Sequence, residues 1–153
     1  MRYGLLLSVA FSSLLATSAL AYDADLAAKI ANVTSKMDQA ALAKAATKLS
    51  MDNFLAMVAK KEKMTVLDIR TPAEQHMVAI PGALQIPLDK LMTKENLDRL
   101  PTEDKIVVVC HSGARAYVAT TLLKVVGFNN VVFLDGGASA LTSAATPKNL
   151  PVE

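Results

Sequence analysis

The sequence predicts an α/β fold in which a parallel sheet carries helices on both faces, preceded by an N-terminal helix. From residue 49 onward, runs of β-branched and apolar residues alternate with helical stretches, which is the order expected of a parallel sheet. The most apolar of these runs, residues 105–110, suits a central strand covered on both faces. With 153 residues, the chain has the length of a single domain.

The composition excludes several classes of protein. A hydrophobic content of 52% with a formal net charge of +2 excludes extensive disorder. The small charge also excludes a protein that relies on a strong basic field, so no nucleic-acid partner is expected. Cys110 is the sole cysteine, which excludes an intramolecular disulfide and a multi-cysteine metal site, and no metal is expected.

Residues 1–21 have the order of a secretory signal peptide. Arg2 precedes an uncharged apolar run that closes with a small-x-small sequence at residues 19–21. We expect cleavage before Tyr22, and therefore an exported, periplasmic protein with no stable membrane insertion. An uncleaved anchor is the alternative, because the run approaches the roughly 20 residues that span a bilayer.

Residues 22–48 are predicted to form a helical arm. The segment is rich in Ala, Lys, Leu and Met, and it contains neither Pro nor Gly. Its apolar side chains recur at intervals of four and three residues, at Leu26, Ile30, Val33, Met37 and Ala40. A helix packed on its own domain is the favoured interpretation, and a short coiled-coil arm that forms a homo-oligomer is the alternative.

The domain itself is placed at residues 49–145, and its first half alternates short helices with strands. The pattern predicts a helix capped by Ser50, then a strand at residues 65–69 and a helical turn opened by residues 70–72. A tight turn at residues 80–83 and a brief strand at residues 84–86 follow. The last element of this half is a helix capped by Thr93 that ends at residues 100–101.

The second half begins with the central strand at residues 105–110. A helix over residues 115–126 follows, and Gly127 is expected to end it. Its predicted inward side chains are Ala119, Leu122, Leu123 and Val126. A last strand at residues 130–134 leads into a small alanine-rich helix, and residues 146–153 are predicted to be a loose tail.

The loop after the central strand carries the residues best suited to chemistry. Cys110 ends the strand and Arg115 lies near the start of the next helix, at the sheet edge where ligands of open α/β sheets bind. Backbone N–H groups and the positive end of that helix would form an anion-binding cradle, which favours the thiolate of Cys110. Arg115 adds a planar fork for an oxyanion. The predicted substrate-binding residues between them are His111, Ser112, Gly113 and Ala114.

Five short segments, taken together and in this order, resemble the rhodanese family of sulfurtransferases in its single-domain form, over residues 49–143. The matching segments are residues 66–70, Pro72 with Glu74, residues 80–83 with 86–87, residues 110–115 and residues 134–137. The chain departs from the family at Gln75, where an aromatic residue is common, at residues 78–79, and at Leu141, where Trp is common.

The resemblance implies a sulfur transfer in two steps. The Cys110 thiolate would attack the outer sulfur of a donor such as thiosulfate, and sulfite would leave. The resulting persulfide would pass its sulfur to a thiol or cyanide acceptor. The reaction needs no metal or organic cofactor.

Two other functions are compatible with a nucleophilic cysteine in such a loop. Phosphatases and arsenate reductases place five residues between Cys and Arg, usually with His before the Cys. In this chain four residues separate Cys110 from Arg115, and the residue before Cys110 is Val109. The third class is a binding module or a sulfur carrier that serves a partner enzyme. The presence of Cys110 argues against a purely non-catalytic module.

Residues outside the loop are assigned supporting roles. Asp68 and Arg70 are predicted to form a structural pair that supports the cradle, and direct contact of Arg70 with the substrate is the less favoured alternative. Two positions are equally compatible with the sequence for His111, one in contact with the substrate and one facing solvent. His76 is expected on the surface. The turn at residues 135–137 is expected near the active loop.

Overall fold

A computed structural model describes residues 22–36 and 48–144. The strands in these residues are β1 (Lys48–Leu49), β2 (Met64–Asp68), β3 (Leu84–Gln85), β4 (Lys105–Val109) and β5 (Val131–Leu134). The α-helices are α1 (Ala24–Thr34), α2 (Met51–Ala59), α3 (Pro72–Met77), α4 (Lys94–Leu97), α5 (Ala114–Val125) and α6 (Gly137–Ala144), with a 3-10 helix at Leu88–Lys90. The predicted signal segment and the tail at residues 146–153 lie outside the described residues, as do Met37 and Ala40 of the arm.

The five strands form one parallel sheet in the order β1-β5-β4-β2-β3. Strand β4 lies at the centre, where Val108 is in register with Leu67 of β2 and with Phe133 of β5. The predicted parallel sheet is confirmed, with strand bounds that differ by one residue from several of the predicted ranges.

Strand β4 is buried on both faces because its side chains alternate between two apolar clusters. Ile106 and Val108 belong to one cluster, and Val107 and Val109 to the other, and all four are 0% exposed. The first cluster includes Ala116, Ala119 and Leu123 of α5. The second includes Phe54 and Met57 of α2 and Ala138 of α6. The helices therefore cover both faces of the sheet, as the sequence predicts.

Of the four side chains predicted to point inward from α5, Ala119 and Leu123 are buried as predicted. Leu122 and Val126, which were expected inward, are 42% and 53% exposed. The buried positions of the helix are Ala116, Ala119, Thr120 and Leu123. These follow the spacing of one helix face, and three of the four are small, so Leu122 and Val126 lie off the face that approaches the sheet.

The N-terminal arm also differs from its prediction. No residue of α1 is buried, and Leu26 and Ile30 are 51% and 39% exposed, so the prediction that this helix packs on its own domain is wrong for residues 24–34. Lys48, placed at the end of the arm, belongs to β1 and lies opposite Phe133. A two-residue strand is too short to carry a recognisable pattern.

One other helix is shorter than expected. The helix after Thr93 ends at Leu97 rather than at residues 100–101, although the Thr93 side chain accepts a hydrogen bond from the N–H of Asn96 as predicted. In the part of the chain that the structure describes, no helix is long and apolar enough to cross a membrane.

Candidate active site

Cys110 lies directly after β4, at the carboxyl end of the sheet, and is only 1% exposed. Its Sγ atom accepts hydrogen bonds from the backbone N–H groups of Gly113, at 3.1 Å, and Ala116, at 3.4 Å. Gly113 is the N-cap of α5 and has no side chain, so the sulfur receives one of the first-turn N–H groups that a capping side chain would otherwise satisfy. These donors and the positive end of α5 stabilise negative charge on the sulfur.

Gly113 makes this loop conformation accessible. Its φ of 105° lies in the left-handed region, which other residues rarely adopt. A Cβ atom there would meet its nearest neighbours only at ordinary contact distance, 3.5 Å from the nitrogen of Gly136. The backbone angle, rather than a lack of space, therefore requires glycine at this position.

The other side of the loop is held by the start of α6. The carbonyl oxygen of Cys110 accepts from the N–H of Ala138 at 2.8 Å, and that of His111 from the N–H of Ser139 at 3.0 Å. Gly137 allows the two backbones to meet, because a Cβ on it would lie 2.8 Å from the His111 oxygen. The turn at residues 135–137 thus lies against the loop, and it fixes the direction in which the loop peptides point.

Both terminal nitrogens of Arg115 are bound by the carboxylate of Glu74, a residue to which the sequence assigns no role. Its two terminal nitrogens donate to Oε2 and Oε1 of Glu74, at 2.9 and 2.5 Å. The hydrogen bond to Glu74 raises the pKa of Arg115, and the proximity of Cys110 raises it further. The structure therefore places the Arg115 charge beside Cys110, with its fork engaged by Glu74.

Glu74 is oriented by the helix on which it lies. It is the N3 residue of α3, and its carboxylate accepts from the backbone N–H and the hydroxyl of Thr71, both at 2.9 Å. The hydrogen bonds from Arg115, followed by those from Thr71, lower the pKa of Glu74 well below its usual range. The sequence carried a signal for this residue, because Thr71 and Glu74 have the spacing of a capping box and Pro72 lies between them.

Asp68 and Arg70 form a buried ion pair beneath α3. Their side chains are 0% and 3% exposed, and Nη2 of Arg70 lies 2.7 Å from Oδ2 of Asp68. The same guanidinium donates to the carbonyl oxygens of Val78, at 2.7 Å, and Glu74, at 3.4 Å. Hydrogen bonding to Asp68 raises the pKa of Arg70. The pair therefore fixes the helix that presents Glu74 to Arg115.

Gln75 takes a buried position where the family commonly has an aromatic residue. Its side chain is 7% exposed, and its amide donates to the carbonyl oxygen of Asp68 at 3.1 Å. This contact joins α3 to the end of β2, next to the ion pair. The departure is thus accommodated by a hydrogen bond in place of aromatic packing.

The remaining loop residues line the surface. His111, Ser112 and Ala114 are exposed, and the Nε2 atom of His111 lies 3.3 Å from the hydroxyl oxygen of Ser139. His76 is exposed at the end of α3, as predicted. Sequence reasoning missed Ser139, because no local pattern relates residues 28 positions apart.

Comparisons with known proteins agree with this architecture. A family profile described as "Rhodanese-like domain" matches residues 50–144. A sulfurtransferase of Allochromatium vinosum is 32% identical over 99 residues, which cover 65% of this chain and 91% of that protein. The protein named "Adenylyltransferase and sulfurtransferase UBA4" of Meyerozyma guilliermondii is 35% identical over 92 residues, 56% of this chain but only 22% of that longer protein.

Solved structures share the fold. A rhodanese-related protein of Thermoplasma volcanium has a TM-score of 0.57 and 26% identity, covering 65% of this chain and 94% of its own. The human single-domain sulfurtransferase TSTD1 has a TM-score of 0.58 at 22% identity, covering 66% and 99%. The profile match spans more than half of the chain, and the cysteine loop, the capped glutamate and the glycine turn lie together in the structure. The chain therefore belongs to the family of rhodanese-like domains, with sulfurtransferases among its relatives.

Proposed function

We propose that this protein transfers sulfane sulfur from thiosulfate or a similar donor to a thiophilic acceptor, through a persulfide on Cys110. The observation that carries the proposal is the pair of backbone N–H groups directed at Sγ of Cys110. A sulfur nucleophile needs its negative charge stabilised before attack, and a persulfide needs the same donors afterwards.

The first step forms a bond between Sγ of Cys110 and the outer sulfur of thiosulfate. The bond between the two sulfurs of thiosulfate breaks, and its electron pair leaves with sulfite. The Arg115 charge beside the cysteine attracts the dianionic donor. In the second step, an acceptor takes the outer sulfur and Cys110 returns as thiolate.

The length of the loop supports sulfur transfer over phosphatase chemistry. Phosphatases and arsenate reductases place five residues between Cys and Arg, whereas four residues separate Cys110 from Arg115 here. The shorter loop leaves a tighter cradle, which fits a persulfide better than a full phosphate. Glu74 orients Arg115 through both terminal nitrogens, and each of these nitrogens has a second N–H that can donate to a substrate anion.

Mass spectrometry of the purified protein tests the proposal directly. Incubation with excess thiosulfate and no acceptor should add the mass of one sulfur atom, and cyanide should then remove it as thiocyanate. Cys110→Ser should lose the adduct and the turnover, because a hydroxyl does not replace a thiolate nucleophile. Hydrolysis of an aryl phosphate without any sulfur adduct would refute the proposal in favour of a phosphatase.

We also propose that the protein works outside the cytoplasm, on the basis of the apolar segment that precedes Tyr22. The intact mass of the protein recovered from the periplasmic fraction should correspond to a chain that begins at Tyr22. A chain that retains Met1 and sediments with membranes would show an anchor instead.

A further inference from the structure

His111 and Ser139 are joined twice, once through the backbone and once through their side chains. The carbonyl oxygen of His111 accepts from the N–H of Ser139 at 3.0 Å, and Nε2 of the ring lies 3.3 Å from Oγ of Ser139. The bond from Ala138 to Cys110 and the close approach at Gly137 fix the same two segments against each other. The side-chain contact is therefore set by how α6 is docked on the loop.

This contact engages one nitrogen of the imidazole ring, Nε2, and not the other, Nδ1. Nδ1 is bonded next to the carbon that joins the ring to Cβ, so it stays close to the loop backbone when Nε2 is held by Ser139. Nδ1 has no hydrogen-bond partner within residues 22–36 and 48–144. The ring is exposed and belongs to the residue that follows Cys110, where an acceptor must approach.

Few titratable groups face the imidazole from the elements around it. Helix α6 contains none, since it consists of Gly, Ala, Ser, Leu and Thr. In the turn before α6, Asp135 is paired with Lys48 at 2.8 Å. On the loop side the ionisable groups are Cys110 and Arg115, and Arg115 is paired with Glu74. Imidazole is the side chain that most often serves as a general base in enzymes, and His111 presents one at this position.

We propose that His111 is the general base for a thiol acceptor in the second step and that Ser139 is its positioning residue; this inference rests on the proposed function. His111 takes the proton from the acceptor thiol, and the acceptor sulfur forms a bond to the outer sulfur of the Cys110 persulfide. The bond between that sulfur and Sγ breaks, and its electron pair returns to Cys110. The acceptor sulfur is formally oxidised and Sγ is reduced by the same amount, so no external oxidant is needed.

The test separates the two half-reactions. Protein loaded with sulfur from thiosulfate is mixed with either a weakly acidic alkyl thiol or sulfite, and the loss of the persulfide is followed over time. In mildly alkaline buffer sulfite is unprotonated and needs no base, whereas the alkyl thiol remains largely protonated. Loading with sulfur reports on the proposed function alone, so its failure is distinguishable from failure of this inference.

We expect His111→Gln to slow transfer to the thiol at least roughly tenfold more than it slows loading or transfer to sulfite, because only the thiol needs a base. Ser139→Ala should slow transfer to the thiol by about threefold to tenfold, the effect of losing one hydrogen bond, and shift its pH profile. Ser139→Thr should restore the rate because it keeps the hydroxyl.

Ser143→Ala is the matched control. Ser143 lies one turn further along α6 and is exposed, and among the described residues its hydroxyl donates to the carbonyl oxygen of Ser139 alone, so this variant should behave as wild type. Equal losses with thiol and sulfite would show a purely structural role and overturn the inference. An unchanged thiol rate and pH profile in His111→Gln would also overturn it.

Discussion

Two arginine–carboxylate pairs contact α3, and they have the same chemistry in different surroundings. The Asp68–Arg70 pair is 0% and 3% exposed, whereas the side chains of Glu74 and Arg115 are 24% and 35% exposed. Arg70 also donates hydrogen bonds to backbone carbonyl oxygens, whereas Arg115 lies beside the sulfur of Cys110. Because it is buried, the Asp68–Arg70 pair can have only a structural role. The Glu74–Arg115 pair is partly exposed, so Arg115 can interact with a substrate anion.

The two pairs are also connected to each other through Glu74. Arg70 holds the carbonyl oxygen of Glu74, and the carboxylate of Glu74 holds Arg115. Each link involves a backbone or a rigid bidentate contact, so a change at Asp68 is expected to reach the active loop through the position of α3. Substitutions at the buried pair should therefore act mainly on folding stability and only indirectly on the loop, whereas substitutions at the second pair act on the loop directly.

The largest effect is expected on folding stability, from Asp68→Ala. Removing this carboxylate leaves the buried Arg70 without its counter-ion, which should lower the free energy of unfolding by about 3–5 kcal/mol. Urea denaturation followed by circular dichroism measures this change. Glu74→Ala, which breaks the more exposed pair, should cost only about 1 kcal/mol, and equal losses would remove the distinction between the pairs.

Arg115→Ala should act mainly on catalysis. Losing a charge-assisted contact worth about 1.5–3 kcal/mol should lower kcat/KM for thiosulfate by roughly ten- to 150-fold. Steady-state kinetics on the folded variant measures it. Arg99→Ala is the control, since Arg99 bonds a surface asparagine on α4 and should leave kinetics unaltered. Unchanged thiosulfate kinetics in Arg115→Ala would remove Arg115 from the substrate site.

A smaller catalytic loss is expected from Arg115→Lys, which keeps the charge but loses the fork that binds both oxygens of Glu74. Combining it with Glu74→Gln in a double-mutant cycle should give a coupling free energy of about 1 kcal/mol in kcat/KM. Strictly additive effects would show that Glu74 does not position Arg115 for the reaction.

The smallest effect is on the pH dependence of stability. The pKa of Glu74 is lowered in the folded state, so the unfolded chain binds the proton more tightly. The contribution of ionised Glu74 to the free energy of unfolding is fully present above the ordinary glutamate pKa of about 4.3. This contribution is lost as the pH falls toward the lowered pKa of the folded state. The stability difference between wild type and Glu74→Gln should therefore shrink in acid, and a difference that grows would contradict the assignment.

The sequence by itself determined the parallel sheet, the buried central strand and the position of Cys110. These depend on local patterns: the apolar run ending at Cys110 predicts a doubly covered strand, and Gly113 predicts the tight loop. The capping residues Ser50, Thr93 and Gly127 were also readable, because a cap depends on contacts within one turn.

Only the tertiary structure decided which face of α5 is buried, what Arg115 binds and where the ring of His111 is held. Ala119 and Leu123 are buried as predicted, but Leu122 is exposed although it is apolar, and Ala116 and Thr120 complete the buried face. The contacts of Arg115 with Glu74 and of His111 with Ser139 join residues 41 and 28 positions apart. No local periodicity encodes such contacts, because they exist only once the parallel strands bring α3, α5 and α6 to the same edge of the sheet.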